Sequence, residues 1–285
     1  MTAIKLDGNL LASEVKNDLQ KRIKTLAGEG IIPGLGTILV GDDGPSKNYI
    51  SMKHRDCQEL GIYSKEITLP ATVEVREITE AVEAFNQDDE IHAFLIQYPF
   101  PTGLDYESAL MKVLPHKDAD GLHPVNLGKL VQGIPAPLAC TPAGIQMLLE
   151  RYEVPIAGQH IVIVGRGLTI GRPLANLLSL KRHNANAVVT VVHTGAGDIT
   201  PYTRQADILV AAAGSPGMIT ADMVKAGAAV LGAGVSFLGK KLVSDVADDV
   251  ESVAGWLSPR IGGVGPMTRA LLMANTVAAA EKLVL

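Results

Sequence analysis

His160-Ile-Val-Ile-Val-Gly165-Arg166-Gly167-Leu168-Thr169-Ile170-Gly171-Arg172-Pro173 runs from an apolar stretch through a glycine-rich turn into a segment of helical spacing. A short apolar run of this kind reads as a buried strand, and the turn after it gathers backbone N–H groups at the positive end of a helix. That is the context in which a dinucleotide pyrophosphate binds, the glycines letting the backbone approach it. The spacing is Gly-x-Gly-x-x-x-Gly, one residue longer than the usual fingerprint, so a glycine-rich βα turn without a ligand is the competing reading of the pattern alone. The next apolar stretch, Val188 to Val192, ends in His193-Thr194-Gly195 and meets no carboxylate before Asp198. An NAD site usually places Asp or Glu at that strand end to accept from the ribose hydroxyls. Without it a ribose phosphate meets no repulsion, and Arg166 can pair with it, so NADP is favoured over NAD. The alternative for His193 is an ordinary strand-end residue with a satisfied imidazole.

Working outward, the alternation continues in strands Ile208 to Ala213 and Ala228 to Leu231, which completes a second α/β unit starting at His160. A last helix begins after Gly265-Pro266 and carries Met267, Leu271, Leu272 and Val277, able to pack on either half. Toward the N-terminus, Leu11, Val15, Leu19, Ile23 and Leu26 make a helical stripe, predicting a helix over 10–26. Leu35 to Val40 reads as a buried strand ending at the turn cluster Gly41-Asp42-Asp43-Gly44-Pro45. Ser46 is the expected cap of a helix reaching Leu60, with Gly61 just past its end. A strand near 63–69, a helix near 73–87 and a strand from Ile91 to Gln97 follow. The alternation predicts a mostly parallel sheet covered on both faces. Between Pro99 and Pro142 prolines and glycines crowd the chain, and only a short helix near 105–114 is periodic, so this stretch reads as linker and site loop.

With 285 residues, 47% hydrophobic and 19% charged, the chain is globular and long enough for two domains. The window Leu130 to Leu149 is broken by Gly133, Pro135, Pro137 and Pro142, which excludes a membrane helix there. Lys5 and Asp7 stand where a secretion signal would be apolar, so the cytoplasm is the expected compartment. Cys57 and Cys140 are too few for a disulfide scaffold or a structural zinc site and are read as reduced. A net charge of −5 argues against nucleic acid and for a small-molecule ligand.

Tyr49 and Lys53 lie one helical turn apart on the predicted helix, with Cys57 the next position along. A lysine on such a stripe is either a solvated charge with its stem along the surface or a cleft amine. In a cleft, burial and a neighbouring cation would favour the neutral amine and make it a proton acceptor. Tyr49 is either a core aromatic or a stacking platform. Gln97, followed by Tyr98-Pro99-Phe100-Pro101, closes a strand at the carboxyl edge where open α/β sheets bind ligands. In His116-Lys117-Asp118-Ala119-Asp120-Gly121 the two acids are a loop acid and a turn residue, and a turn is the commoner use of such a pattern. Nothing has the spacing of a zinc or calcium site, so no metal is expected.

Taken together, eight stretches in register resemble the bifunctional methylenetetrahydrofolate dehydrogenase/cyclohydrolase family. They are Tyr49-x-x-x-Lys53, Gln97-Tyr-Pro-Phe-Pro101, Lys117-Asp-Ala-Asp-Gly-Leu122, Cys140-Thr-Pro-Ala-Gly144, Gly165 to Pro173, His193-Thr194, Ala206 to Gly214, and Gly262 to Thr268. The resemblance implies two three-layer αβα domains around a cleft, a catalytic domain over 1–138 completed by 266–285, and a Rossmann-like NADP domain over 139–265. It implies a homodimer, and oxidation of 5,10-methylenetetrahydrofolate with NADP followed by hydrolysis to 10-formyltetrahydrofolate, feeding purine and amino-acid biosynthesis. Lys53 becomes the catalytic amine held by Gln97, Tyr49 stacks beside the folate and Asp120 hydrogen-bonds the pterin. The implied cofactor contacts are Gly165, Arg166, Gly167, Thr169, Ile170 and Gly171 on the turn, His193 and Thr194 near the ribose, and Ala213, Gly214, Gly234 and Val235 beyond. Three departures stand out: Gly232 where the family has an acid, Ile261 where it has proline, and Gly167 where serine is frequent. The competing readings are a related NADP dehydrogenase acting on a small acid such as shikimate, and a folate-binding regulator that has lost hydride transfer.

Overall fold

The computed structural model describes residues 3–238 and 241–282, and the side chains of Val235, Phe237, Leu238 and Lys241 are outside the described set. It divides into two compact units, one holding the chain up to Ser13 with Ala139–Thr268, the other Glu14–Leu138 with the residues from Arg269 onward. The division separates Leu138 from Ala139, and its other two cuts fall inside α1 (Gly8–Gly28) and α9 (Val264–Ala280). The N-terminal residues join the nucleotide unit because β1 (Ile4–Lys5) pairs in parallel with β11 (Trp256–Leu257).

The unit of Glu14–Leu138 is built on a parallel sheet of β2 (Gly34–Val40), β3 (Tyr63–Leu69) and β4 (Ala93–Ile96), in the order β3-β2-β4. All seven residues of β2 are buried, so both its faces are covered, as its unbroken apolar run requires. β3 alternates between exposed and half-buried residues, as an edge strand does. Gly36 leaves room for the tilted ring pair of Phe85 and Phe94 (centroids 5.4 Å apart), since a Cβ there would lie 2.8 Å from Phe94 Cβ. Each fully buried ring contributes roughly 1.5–3 kcal/mol. Phe85 comes from α3 (Val75–Gln87), which packs with α2 (Gly44–Leu60) against β2.

Two expectations here are corrected. The cap of α2 is Asp43, not Ser46: its Oδ2 accepts from Ser46 N at 2.9 Å and from Ser46 Oγ at 2.6 Å, and Pro45 fits the first turn behind it. Gly61 ends the helix as expected, at φ 75°. The stretch from Pro99 to Pro142 is not mainly linker. It holds α4 (Tyr106–Leu110), a 3₁₀ turn (Pro115–Lys117), α5 (Pro124–Gln132) and the start of α6 (Cys140–Arg151). Pro124 and Pro142 sit in first helical turns, where a missing N–H is harmless, so these prolines mark helix starts.

The other unit carries β5 (His160–Val164), α7 (Gly171–Ser179), β6 (Val188–Val192), α8 (Thr200–Thr203), β7 (Ile208–Ala211) and β8 (Ala229–Gly232). Its main sheet has six strands, all parallel, in the order β1-β11-β8-β7-β5-β6. β6 lies on one side of β5 and β7 on the other, so the chain reverses direction across the sheet between β5 and β7. The carboxyl ends of those strands form the crevice where a doubly wound sheet takes its ligand. An antiparallel hairpin, β9 (Val235–Leu238) and β10 (Lys241–Ser244), leaves the sheet after β8. The sequence pattern gave no signal for this hairpin, for β1 or for β11.

Candidate active site

Lys53 stands on the face of α2 that also buries Ile50, Asp56, Cys57 and Leu60. Only 3% of its surface is exposed, which decides against a solvated surface lysine. Its Nζ donates to Gln97 Oε1 at 3.1 Å and lies 4.9 Å from the centre of the Tyr49 ring. Gln97 follows β4, and its Nε2 donates to Tyr98 O at 2.6 Å, so the amide is held with its oxygen toward the lysine. The three residues expected to act together are therefore in contact.

Asp118 does more than end a turn. It bridges to Phe94 of β4 in parallel, and its carboxylate accepts from Gly121 N (3.0 Å), His123 N (2.7 Å) and Asn126 Nδ2 (2.9 Å). Burial pushes its carboxyl above the ordinary range, against the lowering effect of the His123 and Asn126 donors. The bridge sets the following residues, Ala119 and Asp120, along the β4 edge, toward the end that carries Gln97. Asp120 is half-buried. Tyr106 links the pieces: its ring meets Tyr98 and Phe100 edge-on at 5.3 Å each, and its phenol is pushed up first by burial, then by the charges of Asp120 and Asp118. Tyr106 was not among the residues singled out from sequence, because a lone tyrosine in a short helix carries no pattern.

In the nucleotide unit, Gly165 follows β5 at φ 123°, where a Cβ would lie 2.2 Å from Ala212 O. A Cβ on Gly171 would lie 2.2 Å from Gly165 O, so both ends of the turn require glycine. Arg166, Gly167 and Thr169 are exposed on the turn, and the apolar Ile170 at the helix start leaves α7 without a side-chain cap. Uncapped N–H groups beside a crevice suit an anion. At the end of β6, His193 Nδ1 accepts from Gly195 N at 3.1 Å, while Nε2 lies 3.3 Å from Arg166 Nη1. A neutral imidazole accepts at one nitrogen only, so Nε2 then carries its proton and two donors face each other. A phosphate accepting from both resolves that conflict, and the residues present fit NADP.

Thr194 is exposed in the turn after His193. Ala213 and Gly214 follow β7, and their N–H groups both donate to Asp245 Oδ2, at 2.7 and 2.9 Å. Gly234 is needed beside them, because a Cβ there would lie 1.9 Å from the same oxygen. Val235 opens β9, its side chain outside the described set. Asp245 gave no signal in the sequence, being one acid among thirty in an irregular stretch.

The sequence profile of the tetrahydrofolate dehydrogenase/cyclohydrolase catalytic domain matches residues 6–120, and that of the NAD(P)-binding domain of the same family matches 139–284. The chain belongs to the tetrahydrofolate dehydrogenase/cyclohydrolase family. It is 51% identical over 282 residues to the bifunctional protein FolD of Syntrophotalea carbinolica, covering 99% of this chain and 97% of that one. Its fold is similar to the bifunctional FolD methylenetetrahydrofolate dehydrogenase/cyclohydrolase of Campylobacter jejuni, at TM-score 0.94 and 37% identity over 98% and 99% of the two chains. It is likewise similar to the Trypanosoma brucei enzyme solved with NADP and an inhibitor, at TM-score 0.93 and 34% identity over 99% and 98%. Family membership sets aside the reading as a shikimate-type dehydrogenase. Of the departures from the family pattern, Gly232 has a local explanation, since a Cβ there would meet Ser244 Oγ at 2.4 Å. Ile261 is 72% exposed in a turn before α9, nothing lies within 4 Å of a Cβ placed on Gly167, and nothing in the structure explains these two.

Proposed function

We propose that this protein oxidises 5,10-methylenetetrahydrofolate to the methenyl cation and hydrolyses that cation to 10-formyltetrahydrofolate, the buried Lys53 amine serving the hydrolysis. The observation that carries this reading is the contact of Lys53 Nζ with Gln97 Oε1 and the Tyr49 ring, on an amine 3% exposed within a domain of this family. NADP supplies the hydride acceptor, its nicotinamide ring. Arg166 and His193 bind the ribose phosphate, and the N–H groups at the start of α7 bind the pyrophosphate. Gly165, Gly167, Thr169, Ile170, Gly171 and Thr194 shape that half of the site, and Ala213, Gly214, Gly234 and Val235 shape the nicotinamide half.

After hydride loss the substrate carbon is part of a cation, and a cation beside Lys53 disfavours the ammonium. The neutral amine then accepts a proton from the attacking water as the C–O bond forms, and on collapse of the adduct the C–N5 bond breaks and N5 takes up a proton, leaving the formyl group on N10. Gln97 holds the amine in line, Tyr49 offers its face to the flat ring system, and Asp120 accepts from the pterin N–H groups. The product is a formyl donor for purine biosynthesis, and the interconversion also serves amino-acid biosynthesis. We assign the protein to the cytoplasm as a homodimer that does not bind nucleic acid. The net charge of −5 supports the last point, and among the described residues no helix is long and apolar enough to cross a membrane. The test is the absorbance of NADPH on mixing purified protein with 5,10-methylenetetrahydrofolate and NADP. Reduction of NADP, faster than that of NAD, is expected. No reduction of either nucleotide would support a regulator that has lost hydride transfer.

A further inference from the structure

We propose that Asp245, which no part of the reaction above uses, is a positioning residue that holds the Ala213–Gly214 turn in shape for the nicotinamide end of NADP. The inference rests on the function proposed above. In the strand order β8-β7-β5-β6, His193 and Arg166 fix the adenosine ribose at the β6 side. A dinucleotide crossing the carboxyl edge from there, over Gly165, must run its other end toward β7 and β8. The first residues it meets after β7 are Ala213 and Gly214. Their N–H groups do not pair with backbone; both are taken by one oxygen, Asp245 Oδ2.

Asp245 is fully buried, and its other oxygen, Oδ1, has no hydrogen-bond partner among the described residues. A buried carboxylate oxygen left in that state is costly, so its retention calls for a function. The surrounding backbone is tied to the same residue: Asp245 N donates to Gly234 O at 3.1 Å, and Asp245 O accepts from Ile219 N at 3.0 Å. Ser236 Oγ donates to Gly214 O at 3.1 Å, fixing the turn from its other side. Gly234 lacks the Cβ that would displace the carboxylate. Asp245 therefore sets where the Ala213 and Gly214 backbone lies, while both N–H groups are kept from water and from the cofactor.

Because Oδ2 alone does the accepting, asparagine can place its carbonyl oxygen there, whereas alanine leaves two donors without an acceptor. Full-length wild type, Asp245→Asn and Asp245→Ala are compared in four measurements: NADP-dependent oxidation, hydrolysis of the methenyl compound without NADP, binding of NADP against 2′,5′-ADP, and amide exchange. In Asp245→Ala we expect oxidation kcat/KM to fall about tenfold or more, from the loss of the shared acceptor. Hydrolysis stays near wild type, NADP binding weakens while 2′,5′-ADP binding does not, and the Ala213 and Gly214 amides exchange faster. Asp245→Asn keeps wild-type behaviour in all four. The proposal is overturned if Asp245→Ala oxidises normally, if oxidation and hydrolysis fall together, if 2′,5′-ADP binding weakens as much as NADP binding, or if asparagine does no better than alanine. A wild type that reduces no NADP with the folate rejects the proposed function, and the nucleotide-binding and exchange measurements still decide the role of Asp245.

Discussion

Arg166 and His193 show how much can rest on one proton. With Nδ1 accepting from Gly195, the His193 ring offers only an N–H toward the guanidinium 3.3 Å away. Two donors in contact prefer an acceptor between them, and the ribose phosphate of NADP is one, whereas NAD has none. Replacing Arg166 with alanine removes a charge-assisted bond of roughly 1.5–3 kcal/mol, so the KM for NADP should rise about tenfold or more while that for NAD changes little. Equal losses for the two nucleotides in initial-rate assays would contradict the assignment. The sequence made this much readable, since a strand end without a carboxylate beside an arginine turn is a local pattern. It could not show that Ser244 occupies the space beside Gly232, because those residues meet only through the hairpin.

At the scale of elements, α2 is held by its buried face: Asp56 pairs with Lys16 of α1 at 2.5 Å and Arg269 of α9 at 2.9 Å, and Cys57 Sγ lies 3.6 Å from Met273 Sδ of α9. Burial, and then the negative charge of Asp56, push the Cys57 thiol from its ordinary 9.0 up to about 12. An acid whose pKa is raised by folding ionises first in the unfolded chain, so this thiol leaves stability unchanged below about pH 9 and lowers it between there and about 12. Thiol reagents should therefore label Cys57 in the native protein only at the rate of unfolding, and Cys57→Ala should flatten the alkaline loss of stability seen in denaturant titrations. Rapid native-state labelling at neutral pH would show the packing of α2 on α9 to be wrong. The helical stripe of α1, the run of β2 and the βα turn at Gly165 were all legible from periodicity. α5 and α6 were not, because proline density reads as loop until each proline is placed in a first turn. The structural role of Asp118 was not legible, because its bridge to Phe94 joins residues far apart in sequence.

On the scale of the whole molecule, the chain has two α/β units with parallel sheets, and Lys53 and the Gly165–Gly171 turn belong to different units. The alternation of strand and helix predicted both sheets. Periodicity could not assign the chain ends, because the unit that a two-residue strand or a terminal helix joins is decided by pairing and packing partners far along the chain. The separation of duties makes one substitution decisive. Lys53→Ala removes the amine from the unit of Glu14–Leu138 and leaves Gly165, Arg166 and His193 untouched. Hydrolysis of 5,10-methenyltetrahydrofolate should then fall by about 10²–10⁴-fold, the range for loss of a positioned general base, while NADP binds with wild-type affinity. Hydrolysis that persists at the wild-type rate in that variant would contradict the role given to Lys53.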